Sequence, residues 1–297
     1  MVNILTEKNN RKTNDIDFMT TAEIVKVINE EDKKVAIAVE KALPDIEKAI
    51  DVISRSFLNG GRLAYFGAGT SGRLGVLDAS ECWPTFSAPD GMITGYIAGG
   101  EYALRHSIEG AEDDAEEALR HVMNFSPTKK DVVVGISATG NPKYVLTALR
   151  EAKKMGATTI GLTSNPEAKL KDVADITIMT VVGPEVLTGS SRMKSGTAQK
   201  MVLNMLSTAS MIKIGKTYGN YMIDLQPVCA KLVDRANRII AAICEISIEK
   251  AEEYRIKADN NVKVACVMYL KNCNKQDAEK KLKHHSGILR KVLRDEK

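Results

Sequence analysis

The stretch Leu63-Ala64-Tyr65-Phe66-Gly67-Ala68-Gly69-Thr70-Ser71-Gly72-Arg73 decides the fold, because an apolar run passes through a glycine-rich turn into a helical pattern. Such a run, closed by Gly-x-Gly-x-x-Gly, reads as a strand, a tight turn and the start of a helix. The same spacing matches a dinucleotide fingerprint. Two features speak against that reading. The variable positions Thr70 and Ser71 are hydroxyls, and the next strand ends in Ala98-Gly99-Gly100 without the acidic residue expected about 20 positions on. Hydroxyls and backbone N–H groups at a helix N-terminus suit a phosphate monoester better. Taken alone, the turn is equally well explained by helix capping.

Outward from this turn, short apolar runs alternate with amphipathic segments: Leu63 to Phe66, Met92 to Ile97, Val132 to Ile136, Thr158 to Leu162 and Ile176 to Val182, with helical stretches such as Tyr144 to Met155 between them. That alternation predicts an open parallel α/β sheet flanked by crossover helices. Upstream, Ile24, Val27, Ile28, Val35, Val39, Leu43, Ile46, Ile50 and Ile53 recur at helical spacing and predict two leading helices. Downstream, Lys194 to Lys216 reads as one long helix. Val228 to Ile256, Gln276 to His284 and Gly287 to Arg294 also read as helical, while Val262 to Leu270 is ambiguous between strand and helix. The expected division is 1–58 for N-terminal helices packed on the core, 59–226 for the α/β domain and 227–297 for a small all-helical C-terminal subdomain.

Two further loops repeat the chemistry of the first. Ser137-Ala138-Thr139-Gly140-Asn141-Pro142 follows a strand, and Thr188-Gly189-Ser190-Ser191-Arg192 follows the last strand and precedes the long helix. Ligands of open parallel sheets gather beyond the carboxyl ends of the strands, so the three loops can converge on one crevice. Gly69, Thr70, Ser71, Ser137, Thr139, Ser190 and Ser191 are therefore candidate ligands for the phosphate of a small phosphosugar. Gly215-Lys216-Thr217 imitates the end of a P-loop, but the position five before Gly215 is Ser210 and the preceding segment reads as helix, so a nucleotide triphosphate is not expected there.

Composition sets the outer limits. The 297 residues are 44% hydrophobic and 27% charged, enough for a sizeable core, and 42 basic against 38 acidic residues leave +4 without a basic block. No nucleic-acid partner is expected from such a balance. Five cysteines, Cys82, Cys229, Cys244, Cys266 and Cys273, contain no Cys-x-x-Cys pair, which suggests neither a disulfide framework nor a zinc knuckle and predicts a reducing compartment. No apolar run approaches the ~20 residues of a membrane span, so no membrane association and a soluble, cytoplasmic location are expected. His106 and His121 are isolated, and the adjacent His284 and His285 would point about 100° apart on a helix, so metal binding is not expected, while a site role for one of them reached from a partner subunit stays open.

Among the acidic residues, Glu81 sits in Asp78-Ala79-Ser80-Glu81-Cys82-Trp83-Pro84-Thr85, where apolar neighbours could raise its pKa into the range of a general acid. Glu112, in Glu109-Gly110-Ala111-Glu112-Asp113-Asp114, could equally be decoration of a helix start.

At these residues the chain resembles a known family. The runs GRLAYFGAGTSGRLGVLDASECWPT, IAGGEYALRHSIEGAEDD, VVVGISATG and GPEVLTGSSRMKSGTAQKMVLNMLST, with LTEKNN near the start and HHSGILRKVL near the end, are similar to N-acetylmuramic acid 6-phosphate etherases, which have the sugar isomerase (SIS) fold. The resemblance covers nearly the whole chain. It implies a cytoplasmic homodimer of amino sugar recycling that converts N-acetylmuramic acid 6-phosphate to N-acetylglucosamine 6-phosphate and D-lactate. It implies Glu81 and Glu112 as an acid/base pair, the hydroxyl loops as the sugar-phosphate ligands, and no metal or redox cofactor. Trp83, where the family commonly has proline, and Asn141-Pro142-Lys143, in place of Arg-Thr-Pro, are departures beside the expected site. Two other expectations stay open: a non-catalytic phosphosugar sensor similar to glucokinase regulatory protein, and a phosphosugar isomerase of the same fold.

Overall fold

The structure, a computed structural model, describes residues 4–295. The chain divides into two compact units, Met1–Ser80 with Gly91–Ser210, and Glu81–Asp90 with Met211–Lys297.

The first unit opens with three short 3-10 turns, Leu5–Glu7, Arg11–Thr13 and Ile16–Phe18, ahead of α1 (Thr21–Lys41) and α2 (Leu43–Leu58). Thr20 and Glu23 start α1 with reciprocal side-chain-to-backbone bonds, and Pro44 stands in the first turn of α2, where a missing N–H costs nothing. Then come β1 (Leu63–Gly67), α3 (Gly69–Phe86), β2 (Ile93–Ile97), α4 (Gly100–Ala103), α5 (Ala115–Phe125), β3 (Val132–Ile136), α6 (Lys143–Lys154), β4 (Thr158–Thr163), β5 (Ile176–Met179) and α7 (Lys194–Lys213). The five strands form one parallel sheet in the order β2-β1-β3-β4-β5. The expected open parallel sheet with flanking helices is therefore present.

β1 and β3 are buried at every position, which is why they read as unbroken apolar runs rather than alternating ones. Phe66, Val133, Tyr144, Val145 and Leu149 form a core with Ala118, Val122 and Phe125, so α5 and α6 close one sheet face. Asp78 of α3 is buried and accepts hydrogen bonds from Tyr65 Oη at 2.9 Å, Asn204 Nδ2 at 2.8 Å and Ser207 Oγ at 3.0 Å. These bonds tie α3 to β1 and α7. Burial raises the Asp78 carboxyl above its ordinary range, and the three donors only partly offset it.

The second unit contains an antiparallel hairpin of β6 (Thr217–Tyr218) and β7 (Tyr221–Met222), followed by α8 (Ala230–Cys244), α9 (Ile248–Lys257), α10 (Val262–Leu270), α11 (Lys275–His284) and α12 (Leu289–Arg294). Ile223 and Leu225 pack into the same core as Ile240, Cys266 and Leu289, so the expected break at 226 lies inside this unit. The ambiguous Val262–Leu270 segment is a helix, capped by Asn261, with Val262 to Met268 all buried. Continuous burial erases the periodicity that would have marked it as helical. The single helical stretch expected over 228–256 is two helices. Glu245 ends the first in a left-handed conformation and Ser247 caps the second. The long helix from Lys194 stops at Lys213, short of Lys216. Lys216 instead leads into the hairpin and pairs with Asp224 at 3.1 Å, which leaves no P-loop there. Among the described residues, no helix is long and apolar enough to cross a membrane.

Candidate active site

With strand order 2-1-3-4-5, chain connections leave β1 and β3 in opposite directions, and the loops after them part to leave a crevice at their carboxyl ends. A cleft of about 270 Å³ lies there. Its walls include Gly69, Thr70 and Ser71 from the first turn of α3 directly after β1, Ser137 and Thr139 from the loop after β3, and Ser191 from the loop before α7. Three sequence-distant hydroxyl loops thus meet at one place. Ser190 is not among the lining residues.

The first loop is shaped by close approach of backbone to backbone. A Cβ on Gly67 would fall 2.6 Å from the Gly72 nitrogen, and one on Gly72 would fall 2.6 Å from the Gly67 oxygen, so strand end and helix start touch only because both are glycine. The contact turns the first residues of α3 toward the cleft. In the second loop Ser137 Oγ accepts from Gly140 N–H at 3.0 Å and lies 3.5 Å from Thr139 Oγ1, so the two hydroxyls of this loop are held side by side. Asn165 Nδ2 donates to the Thr139 carbonyl at 3.0 Å and holds the loop from behind.

The third loop is fixed by a buried carboxylate that the sequence reading passed over. Glu185, fully buried, accepts from the Lys194 and Ser195 backbone N–H groups and from Ser195 Oγ, each at 2.9 Å. It satisfies first-turn donors of α7 and favours the positive end of that helix. Lys194, also buried, pairs with Glu31 of α1 at 2.7 Å and donates to the Val182 carbonyl at 3.0 Å.

Glu112 lies in a 3-10 turn, Ala111–Asp113, on the cleft wall. It keeps an exposed face, yet loss of hydration where its carboxyl meets protein raises the pKa, and the negative charges of Asp113, Glu109 and Glu7 raise it further. A carboxylate poised above its ordinary range is a competent proton acceptor and donor. Glu81 is an exposed residue of α3 that belongs to the second unit, and it is not among the residues lining this cleft.

Arg73 and His106 also line the cleft; from sequence Arg73 carried no role and His106 was set aside as an isolated histidine. The Arg73 guanidinium is engaged with the carbonyls of Ala103 at 2.7 Å, His106 at 2.9 Å and Leu104 at 3.1 Å, so it anchors the loop that carries His106. His106 stacks on Tyr102 with ring centroids 4.0 Å apart. His121 lies behind the wall, with Nδ1 2.7 Å from Tyr144 Oη, and burial lowers its pKa. Only spatial closeness, absent from a linear pattern, marks these residues.

Residues 45–153 match the glucokinase regulatory protein N-terminal SIS domain, and residues 111–209 match the SIS domain. An N-acetylmuramic acid 6-phosphate etherase of Actinobacillus succinogenes is 53% identical over 293 residues, covering 99% of this chain and 96% of the relative. One of Escherichia coli is 49% identical over 290 residues, covering 98% and 97%. A phosphoheptose isomerase structure from Francisella tularensis shares the fold, with TM-score 0.50, 16% identity, and coverage of 65% of this chain and all of that one.

Proposed function

Because the chain belongs to the N-acetylmuramic acid 6-phosphate etherase family of carbon–oxygen lyases, we propose that it cleaves the D-lactyl ether of N-acetylmuramic acid 6-phosphate by elimination and hydration, with Glu112 as base and Glu81 as acid. The observation that carries this reading is the convergence of the three hydroxyl loops and Glu112 on one cleft at the β1/β3 switch point. Hydroxyl donors and a helix N-terminus suit the sugar phosphate, and a carboxylate with a raised pKa suits proton transfer at carbon.

In the open-chain sugar the C1 aldehyde acidifies the C2 proton. Glu112 removes that proton, electrons move to form the C2–C3 double bond, and the C3–O bond breaks as Glu81 protonates the departing lactate oxygen. Water then adds at C3. Glu81, now ionised, takes a proton from it, and Glu112 returns one to C2. The product is N-acetylglucosamine 6-phosphate, and each positioned proton transfer contributes about 10²- to 10⁴-fold. Retention of both carboxylates favours an enzyme over a sugar sensor, and the lactate leaving group separates this chemistry from isomerisation. A homodimer working in the cytoplasm belongs to the same reading.

Incubation with N-acetylmuramic acid 6-phosphate in ¹⁸O-water tests the proposal. D-Lactate is released and the label enters the C3 oxygen of the product sugar. Label in the lactate, or no lactate above a Glu81→Gln control, overturns it.

A further inference from the structure

Ser71 is 8% exposed and its Oγ lies 2.9 Å from Oε1 of Gln199, which is 1% exposed on α7. In this arrangement the Ser71 proton points at Gln199, and Ser71 offers the cleft only lone pairs. A phosphate ester presents only acceptor oxygens near neutral pH, so lone pairs facing it repel. On the same amide, Nε2 is buried and, among the described residues, has no hydrogen-bond partner. Buried N–H groups left unpaired are rarer than underused carbonyls, because their desolvation is uncompensated. Both problems disappear with one half-turn of the amide, which exchanges two atoms of nearly equal size. Nε2 then donates to Ser71 Oγ, and the Ser71 proton is released toward the cleft. The backbone permits this coupling because α7 starts beside the first loop. A Cβ on Gly196 would lie 3.4 Å from Thr70 Cγ2 and 3.7 Å from the Ser191 carbonyl.

We infer that Gln199 is a positioning residue for phosphate recognition, acting as a buried donor to Ser71 so that Ser71 can donate to a phosphate oxygen. The inference rests on the phosphosugar reading of the cleft and adds to it a residue that does not line the cleft and that commits Ser71 to the donor role.

The test uses the full chain and inorganic phosphate, titrated calorimetrically into wild type, Ser71→Ala, Gln199→Glu and the double variant. A carboxylate at 199 can only accept, so it locks the Ser71 proton away from the cleft. Ser71→Ala and Gln199→Glu are each expected to weaken phosphate about 10-fold, the size of one hydrogen bond to a charged group. The double variant is expected to bind no more weakly than either single one. Losses that multiply in the double variant, or Gln199→Glu binding phosphate as tightly as wild type, overturn the inference. Should Gln199→Glu fail to fold, Gln199→Met keeps the volume and loses the donor, and its loss must likewise vanish in the Ser71→Ala background. Wild type that binds no phosphate overturns the phosphosugar reading itself, a result distinct from tight binding that Gln199 does not influence.

Discussion

The Glu7 carboxylate rests against Gly189 so closely that a Cβ there would stand 2.8 Å from Glu7 Oε2. Gly189 also has φ +77°, the left-handed region in which glycine carries no steric penalty. The turn Leu5–Glu7 is thereby docked on the third hydroxyl loop, with Thr13 Oγ1 donating to the Val186 carbonyl at 2.8 Å as a second tie. An acidic side chain from the start of the chain thus reaches the surroundings of Glu112.

Glu7→Gln is expected to shift the pH dependence of lactate release. Proton abstraction needs Glu112 ionised, so the acidic limb of kcat/KM follows its pKa. Desolvation is the main cause of its rise, and Asp113, Glu109 and Glu7 add to it. Lys143, which pairs with Asp113 at 3.8 Å, and the cleft residues Arg73 and His106 are unchanged by the substitution. Removing one negative neighbour lowers the Glu112 pKa, so the limb moves to lower pH. A limb that stays in place, or moves upward, refutes the coupling.

Gly189→Ala forces a side chain into the left-handed region and into the space of Glu7, and about 1–3 kcal/mol of stability is expected to be lost. The backbone part of that loss persists in a Glu7→Ala background, whereas the contact part does not. Thermal unfolding of the two singles and the double variant separates them, and equal losses in both backgrounds would show that the contact is inconsequential.

The two proposed carboxylates are told apart by solvent exchange at C2. In deuterated water Glu81→Gln is expected to retain exchange of the substrate C2 hydrogen while lactate release falls about 10²- to 10⁴-fold, and Glu112→Gln is expected to lose both. Reversed behaviour of the pair would exchange their roles. Mass spectrometry of recovered substrate gives the answer.

Lys194→Met leaves Glu31 buried with Lys34, whose own side chain is half exposed, as its remaining cation, and about 3–5 kcal/mol of destabilisation is expected. Burial pushes the Glu31 carboxyl up, but the hydrogen bonds and charges of Lys194 and Lys34 outweigh it and hold the pKa below the ordinary value. A depressed carboxyl stabilises the fold above its unfolded pKa of about 4.3 and loses that contribution as pH falls through the folded value. Urea titrations of wild type at pH 7 and pH 3 are expected to differ by more than those of Glu31→Gln, and equal differences would remove Glu31 from the acid response.

Much of the sheet was legible because burial on both faces writes itself as apolar runs, and Val132 to Ile136 coincides with β3. The hydroxyl loops were legible for a related reason, since each lies directly after a strand or before a helix. The two-residue strands β6 and β7 were not, because they are too short for any alternation to show. Ser190 and Ser191 looked equivalent in sequence, yet only Ser191 lines the cleft, because a turn sends neighbouring side chains in different directions.

By itself the sequence determined the α/β class and the place of the three loops beside strand ends and helix starts, both of which are local patterns of residue type. Tertiary structure decided the rest. Glu7 meets Gly189, Gln199 meets Ser71, and Glu185 meets the start of α7 across 182, 128 and 10 positions of chain. A hydrogen bond depends on distance in space and on burial, and neither is encoded in the spacing of residues along a line.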